Sequence, residues 1–200
     1  MIYRESTVTI NPPKECLLYK SMVNLNDKFN QQELEIKEKS NNTRELIKEM
    51  KEELNKIKNK RKIRFSEGTY YGQTIGDKNE VTGLGVFEND DGRKYEGQFL
   101  DCDRDGIGIF TGTNKDAYYG EFKKNKRSGF GIEENIIDPY DSKYEGEWLD
   151  DGINGNGIIV YTDGRIYIGS LDKGKLSGEG KIIFIDGSYF IGEFKEDLKV

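Results

Sequence analysis

The chain has 200 residues, a net charge of −6 and a mean hydropathy of −0.80, values that favour a thin or elongated architecture over a deep globular core. Its 24 glycines accompany only 3 prolines, which excludes a collagen-like chain, and its 12 tyrosines and 10 phenylalanines argue against disorder. Histidine is absent, and the cysteines Cys16 and Cys102 match no metal-ligand spacing. With no apolar run long enough to cross a bilayer and no secretory leader, we expect a cytoplasmic protein.

Charge and glycine content divide the chain near Phe65. Residues 1–64 contain no glycine and carry 15 Lys and Arg against 10 Asp and Glu, a net charge of +5. Residues 65–200 contain every glycine and carry 16 Lys and Arg against 27 Asp and Glu, a net charge of −11. The sequence therefore predicts a basic, mostly helical N-terminal extension over 1–64 and an acidic second part over 65–200.

The extension is expected to be helical from about Lys14, most clearly over residues 44–64, which are rich in helix formers. One apolar seam follows spacings of 3, 4 and 3 residues through Ile47, Met50, Leu54 and Ile57. Continuing it backward reaches two apolar residues, Ile36 and Phe29, but also Glu33, Ser40 and Thr43. Asn42 followed by Glu45 resembles a capping box, so one long helix and two helices joined near Ser40–Asn42 both remain open.

The apolar seam has two interpretations. It could pack on the helix's own domain, or residues 43–62 could dock against a helix of a partner protein. A seam this narrow is typical of a coiled-coil contact, which favours the partner helix.

A basic cluster is expected at the end of the same helix: Lys56, Lys58, Lys60, Arg61, Lys62 and Arg64. The helix dipole favours only one or two cations there. The others could bind anionic lipid, acidic tubulin tails or nucleic acid, or could face the acidic second part of the chain. For the whole protein we expect protein partners, with anionic lipid as a weaker alternative and no nucleic acid.

Internal repetition dominates the second part. An aromatic residue, any residue and a glycine recur six times, with the glycines 25, 23, 26, 23 and 23 residues apart: Tyr70–Gly72, Tyr95–Gly97, Tyr118–Gly120, Tyr144–Gly146, Tyr167–Gly169 and Phe190–Gly192. A Gly-x-Gly pair follows in five copies: Gly83/Gly85, Gly106/Gly108, Gly129/Gly131, Gly155/Gly157 and Gly178/Gly180. Extra residues at 76–80 and 136–140 should lie in surface turns.

Each repeat is predicted to be a β-hairpin. Residues 144–148 alternate aromatic and polar side chains, as a strand with one buried face does, and the β-branched residues 155–161 form the return strand. The polar residues 150–154 are expected to form the turn between them, and Asp-Gly turns join successive hairpins. The glycines should leave room for an aromatic ring of a neighbouring repeat. The expected fold is mainly β, an elongated single-layer array of tandem antiparallel hairpins after a helical or coiled-coil segment.

The pattern Tyr-Glu-Gly-Glu-Trp, a polar turn, Gly-x-Gly-Ile and Asp-Gly, clearest over residues 144–169, resembles the MORN repeat. The resemblance covers residues 68–200, as five full repeats and a truncated sixth. It implies a scaffold, because such proteins occur in radial spoke heads of cilia, protist cortical cytoskeletons and membrane junctions, and as appendages of lipid kinases and a SET-domain methyltransferase. We therefore expect a non-enzymatic adaptor in a multi-subunit assembly of an axoneme or the cell cortex, with the helix as its anchor.

Two other function classes compete with this expectation. Membrane recruitment would have to use the basic residues 56–64, since the acidic array repels anionic headgroups. An enzyme with paired carboxylates could use Glu121, Glu147 and Glu193, but recurrence at one repeat position indicates a scaffold feature. We therefore predict no catalytic residue, metal or cofactor.

The aromatic residues of the array are divided between packing and partner contact. Tyr70, Tyr95, Tyr118, Tyr144, Tyr167 and Phe190 are expected to pack between repeats. Their neighbours Tyr71, Tyr119 and Trp148 are the candidates for partner binding.

Overall fold

The computed structural model describes residues 2–3, 17–76, 80–134 and 141–200, with side chains for residues 21–76, 80–134 and 143–200. One helix, α1, spans Leu17–Lys56. The strands are β1 (Ile2–Tyr3), β2 (Arg61–Arg64), β3 (Gly68–Ile75), β4 (Glu80–Asn89), β5 (Lys94–Leu100), β6 (Asp103–Thr111), β7 (Ala117–Lys123), β8 (Lys126–Glu134), β9 (Asp141–Leu149), β10 (Gly152–Tyr161), β11 (Ile166–Asp172), β12 (Lys175–Ile183), β13 (Tyr189–Lys195) and β14 (Leu198–Lys199). Of the two predicted loop insertions, residues 77–79 of the first and all of the second, 136–140, lie outside the described ranges.

The strands form one antiparallel sheet. Strands β2 to β13 are neighbours in chain order, β1 pairs with β13 at the far edge, and β14 also pairs with β13. Five full hairpins run from β3–β4 to β11–β12, and β13–β14 makes a short sixth. The predicted single-layer array of tandem hairpins after a helix is confirmed. Neighbouring hairpins are also hydrogen-bonded to each other, because β4 pairs with β5 and each later return strand pairs with the next hairpin.

The hairpin turns are shorter than the sequence suggested. Asp150 and Asp151 have φ values of 50° and 70°, so β9 and β10 are joined by two residues in the type I′ conformation, which matches the twist of the flanking strands. The expected five-residue turn over 150–154 is therefore wrong, since β10 already begins at Gly152. The same pair of positive φ values recurs at 101–102, 124–125, 173–174 and 196–197.

Eleven glycines form one row across the sheet: Gly72, Gly85, Gly97, Gly108, Gly120, Gly131, Gly146, Gly157, Gly169, Gly180 and Gly192. An aromatic ring of the same hairpin lies over each glycine pair. A Cβ on Gly131 would lie 2.3 Å from Cε2 of Tyr118, and one on Gly85 would lie 2.3 Å from Cε2 of Tyr70. The glycines do make room for a ring, but the expectation that a neighbouring repeat supplies it was wrong.

Helix α1 is continuous through Ser40–Asn42, so the two-helix alternative is excluded. It ends at Lys56, eight residues before the predicted end, and Arg61–Arg64 instead pair with β3 as strand β2. Helix propensity is a weak preference that tertiary context overrides. Here Ile63 packs on the buried cluster of the sheet, and the backbone of β2 completes its hydrogen bonds with Thr69–Gly72.

The helix lies across the strands and contacts β4 to β11. Residues spaced by seven, Phe29, Ile36, Thr43 and Met50, are all buried. Seven helical residues advance about 10.5 Å, and two neighbouring strands occupy about 9.6 Å. One heptad of the helix therefore covers about one hairpin, which explains why a heptad seam fits a sheet of hairpin repeats.

Candidate interaction surfaces

The sheet has two faces with different cores. The ladder face carries the aromatic ladder, a line of rings at the two recurrent aromatic positions: Tyr70, Phe99, Tyr95, Phe122, Tyr118, Trp148, Tyr144, then Tyr167, Phe194 and Phe190. The helix face lies on the other side and packs against α1 through two further clusters.

The apolar seam of α1 is occupied by the chain's own sheet. Ile47 and Met50 pack with Ile109 of β6, and Leu54 is 3% exposed, while Ile57 lies after the helix and is half-buried. Phe29 and Ile36 pack with Ile132, Ile158 and Ile168. The predicted docking of residues 43–62 on a partner helix is therefore corrected: Ile47 and Met50 already have an apolar partner within the chain, and Leu54 is buried.

Polar contacts fix the position of the helix along the sheet. Nζ of Lys181 donates to Oδ1 of Asn26 and of Asn30, at 2.7 and 3.0 Å, at one end of the contact. Nearer its other end, Nη2 of Arg44 lies 3.1 Å from Glu134 Oε1 and 3.4 Å from Glu145 Oε1. These pairs set the register of a seam that contains Ser40 and Thr43 and therefore packs less apolar surface than a clean heptad repeat would.

The ladder aromatics are packing residues, as expected for the six at the aromatic-x-Gly position. Tyr70, Tyr95, Tyr118, Tyr144 and Tyr167 are at most 1% exposed, and each hydroxyl donates to the carbonyl oxygen three residues ahead at 2.7–2.9 Å. Burial raises the pKa of the Tyr70 hydroxyl to about 12, and it raises the pKa values of the other four further. Edge-to-face contacts join the repeats, since the ring centroid of Phe99 lies 5.1 Å from the ring centroids of both Tyr70 and Tyr95.

The three aromatic candidates for partner binding fall in different places. Trp148 is only 4% exposed and lies between Tyr118 and Tyr144 in the ladder, so the structure does not present it to a partner. Tyr119 is half-buried and packs on the helix-face clusters. Tyr71 is half-buried on the same face, with Nζ of Lys62 5.5 Å from its ring centroid.

Two of the recurrent carboxylates, Glu121 and Glu147, hydrogen-bond to the backbone of the adjacent strand. Glu121 accepts a hydrogen bond from the backbone N–H of Phe130 at 2.9 Å, and Glu147 accepts one from Asn156 at 2.9 Å. Gln73 and Gln98 do the same for Leu84 and Ile107 in the first two hairpins. Each acceptor bridges to the residue after a positive-φ glycine, where the pairing of the two strands is irregular. An amide replaces the carboxylate in two of these four hairpins, so the bridge requires an acceptor and not an acid.

The basic cluster is exposed but is not helical. All six side chains, Lys56, Lys58, Lys60, Arg61, Lys62 and Arg64, are exposed, and only Lys56 belongs to α1. Arg64 forms two hydrogen bonds with the Asp90 carboxylate, at 2.7 and 2.6 Å, which lower the pKa of Asp90 and raise that of Arg64. Among the described residues, Lys58 and Lys60 have no carboxylate within 4 Å.

The ladder face also bears a groove that the sequence did not predict. Its cavity at the second hairpin measures about 370 Å³, and its walls include Phe87, Phe110, Arg93 and Arg104. A contiguous cavity of about 310 Å³ shares Phe110, Arg93 and Arg104 and adds Arg127. The available signal was a repeat position: Arg104 and Arg127 stand where other hairpins have Val81, Ile153 and Leu176, which are apolar.

These features define a single-sheet hairpin-repeat protein with one helix-covered face and one grooved face. The MORN repeat family model matches four consecutive segments, residues 95–117, 118–134, 144–164 and 167–189, which fall on β5 to β12 and on the turn that follows β12. The chain therefore contains MORN repeats over residues 95–189, as its sequence pattern indicated. The first and sixth hairpins flank the matched segments with the same glycine row.

The family match also bears on function. MORN repeats generally mediate interactions with proteins or with membrane lipids, and the repeat is generally a non-enzymatic module. A comparison with curated proteins gives no match. In the described ranges, no helix combines the length and apolar character needed to cross a bilayer.

Proposed function

We propose that this chain is a non-enzymatic scaffold that holds a protein partner within a larger assembly, either a ciliary axoneme of the radial-spoke type or a cortical cytoskeletal complex. The main support is the groove on the ladder face. It is bordered by the partly buried aromatic side chains Phe87 and Phe110, while α1 packs on the opposite face. Aromatic and arginine side chains at partly buried positions supply much of the affinity in protein interfaces.

The structure changes which part of the chain should make the contact. The seam of α1 is used internally, so the array, and not the apolar side of the helix, is the surface that we assign to the partner. The non-enzymatic part of the proposal is supported by Glu121 and Glu147, since these two of the three recurrent carboxylates accept backbone hydrogen bonds.

The test is localisation and partner recovery with matched variants. The tagged full chain is imaged beside axonemal and cortical markers, then cross-linked and purified. The variants are Phe110→Ala in the groove and, as a control, Leu34→Ala on the helix, where the side chain is 62% exposed. We expect Phe110→Ala to lose the main cross-linked partner and Leu34→Ala to keep it, with both variants folded by circular dichroism. A diffuse distribution with no cross-linked partner, or equal recovery by both variants, would contradict the proposal.

Membrane recruitment through the basic cluster is the second candidate, because its six cations are exposed. Each cation near an anionic surface contributes about 1 kcal/mol to the free energy of membrane binding. Arg64 should contribute less than the others, because Asp90 already pairs with it. Co-sedimentation with phosphatidylserine vesicles tests it. Binding by the native chain that is lost when all six residues become glutamine supports recruitment, and binding that survives the replacement rejects it.

A further inference from the structure

Two arginines occupy positions that are apolar in other hairpins of the array. Arg104 pairs across the sheet with Phe99, and Arg127 pairs with Phe122, in the same register that places Leu176 opposite Leu171. Leu176 is 6% exposed and belongs to the buried cluster of the ladder face. A guanidinium at this position is partly removed from water, and such a charge normally requires a partner.

Arg127 has its partners within the chain. Its Nη1 lies 2.7 Å from Glu133 Oε1, and its Nε lies 3.4 Å from Asp151 Oδ1. Its Nη2 also donates to the carbonyl oxygen of Asp151 at 3.0 Å, and the guanidinium carbon lies 4.2 Å from the centroid of the Trp148 ring. Two carboxylates therefore balance this cation.

Arg104 repeats the arrangement without the acids. Its Nη2 donates to the carbonyl oxygen of Asn125 at 2.6 Å, and its backbone N–H donates to Asn125 Oδ1 at 2.9 Å, as the corresponding groups of Arg127 do with Asp151. Asn125, however, takes the place of Asp151, and Phe110 takes the place of Glu133. In the part of the chain that the structure describes, Arg104 has no carboxylate within 4 Å.

The surroundings of Arg104 leave its charge available to the groove. Its guanidinium carbon lies 5.4–5.7 Å from the ring centroids of Tyr95, Phe110 and Phe122, and burial lowers its pKa. Arg93 lines the same cavity but is already paired with Asp91, whose Oδ2 lies 2.7 Å from its Nε. The acids that a ligand must avoid are Glu67 in this cavity and Asp116, Glu133 and Asp151 in the contiguous one. The aromatic walls formed by Phe87 and Phe110 suit an apolar side chain beside the bound anion.

We propose that the groove at Arg104 is a subsite for a side-chain carboxylate of an acidic protein segment, with neighbouring apolar side chains of that segment against Phe87 and Phe110. A guanidinium presents its N–H groups in a planar fork that matches a carboxylate. The bound acid would supply to Arg104 the negative charge that Glu133 and Asp151 supply to Arg127. This inference deepens the proposed scaffold function and rests on it for its biological role, but the subsite itself is tested separately.

The probe is a blocked hexapeptide of alternating leucine and glutamate, compared with the same peptide carrying glutamine. Each is titrated into the full-length isotope-labelled protein, and the Nε–Hε signals of the arginines are followed by NMR. We expect a saturable shift at Arg104 with the glutamate peptide and at least about tenfold weaker binding of the glutamine peptide, because charge-assisted hydrogen bonds to a guanidinium are lost. No saturable shift at Arg104, or equal affinity for both peptides, overturns the proposal.

Two variants separate the subsite from a structural effect. Arg104→Gln should lose the preference for the glutamate peptide. The double exchange Asp103→Asn with Asn125→Asp keeps the net charge and the hydrogen-bonded pair between positions 103 and 125, but gives Arg104 the acid that Asp151 gives Arg127. It should stay folded and bind the glutamate peptide about tenfold more weakly. Unchanged affinity in either folded variant would show that Arg104 is not the binding group.

A third titration with inorganic phosphate identifies the anion. Weaker binding of phosphate than of the glutamate peptide at Arg104 supports a carboxylate subsite, and tighter binding of phosphate overturns that assignment. The outcome is independent of the scaffold proposal, because partner recovery from cells could succeed through other contacts of the array even if Arg104 binds no peptide.

Discussion

The two faces of this sheet are built from the same strands but reach burial in different ways. On the ladder face, each of the five full hairpins folds its own tyrosine over its own pair of glycines, and the hydroxyl is satisfied three residues further along the same strand. On the helix face, the row beside the glycines mixes apolar and charged residues, with Ile132, Glu145, Ile158 and Lys181 among them. That face depends on α1, which supplies both apolar side chains and the polar partners Arg44 and Asn30.

The comparison teaches that a repeat can bury one face locally while the other depends on a distant segment. The ladder tyrosines are at most 1% exposed although α1 lies on the opposite face. Ile132 and Ile168, at 0% exposure, are covered with the help of residues more than 100 positions away in the chain. Stability should therefore respond differently to changes on the two faces.

The largest expected effect is alkaline unfolding driven by the ladder face. The folded pKa values of five tyrosines are raised above the unfolded value near 10, so the folded state holds protons that the unfolded chain releases. Their contribution to stability is complete below pH 10 and is lost as pH rises, for Tyr70 by about pH 12. Above pH 10, each of these tyrosines should lower the free energy of unfolding by about 1.4 kcal/mol per pH unit. The five together should lower it by about 7 kcal/mol per pH unit.

Parallel pH titrations by circular dichroism and tyrosinate absorbance measure this effect. The tyrosinate signal of the five ladder tyrosines should appear together with the loss of the circular dichroism signal in one cooperative step, and Tyr118→Phe should make the step less steep because one titrating group is removed. Ionisation of all twelve tyrosines while the sheet stays intact would show that the ladder is open to solvent.

The next effect is local to the glycine row. Gly131→Ala places a methyl group 2.3 Å from the Tyr118 ring, which is buried and cannot move away, so we expect a loss of about 4 kcal/mol or more in the free energy of unfolding. Urea unfolding measures it. Gly152→Ala is the control, because its nearest atom is the Leu149 carbonyl oxygen at 3.3 Å, and it should cost less than about 1 kcal/mol. Similar losses in both variants would mean that ring contact does not explain the glycine row.

On the helix face, Phe29→Ala should cost about 3 kcal/mol, since this side chain is 1% exposed against Ile132, Ile158 and Ile168. Amide hydrogen exchange should show faster exchange in the N-terminal half of α1, with the glycine row unchanged. Leu34→Ala, at an exposed position, is the control and should leave both unchanged. Equal loss of protection on both faces would show that they do not behave as separate cores.

The smallest effect concerns the repeated bridge between strands. Gln98→Ala removes the acceptor for the backbone N–H of Ile107, at 2.7 Å, and should cost about 1 kcal/mol in urea unfolding. Gln98→Glu should be nearly neutral, because Glu121 and Glu147 occupy the same position in later hairpins. If the glutamate variant is as unstable as the alanine variant, the bridge is not the reason for this residue type.

Much of the fold was predictable because the repeat is local. The hairpin strands, the glycine row and the buried aromatic-x-Gly position follow from spacings within about 25 residues. Three assignments made from the sequence were wrong because they depend on contacts between segments that are distant in the chain. The sequence alone made Trp148 a candidate for partner binding, but its edge-to-face contact with Tyr118 places it in the buried ladder. Arg61–Arg64 continue a helical composition, yet pairing with β3 makes them a strand. The imperfect heptad pattern that contains Ile47 and Met50 is typical of a coiled coil, but here its spacing matches the spacing of the hairpins on which the helix packs.

The sequence by itself determined the repeat, its hairpin unit and the face on which its tyrosines pack, because a ring and the glycines beneath it belong to one hairpin. Only the tertiary structure decided what covers the other face. It also showed that Arg104 lacks the carboxylates that balance Arg127, a difference that depends on which side chains the register brings together across neighbouring strands. Local spacing encodes contacts within a repeat, whereas contacts between the helix, the repeats and their charges depend on the register of the assembled sheet.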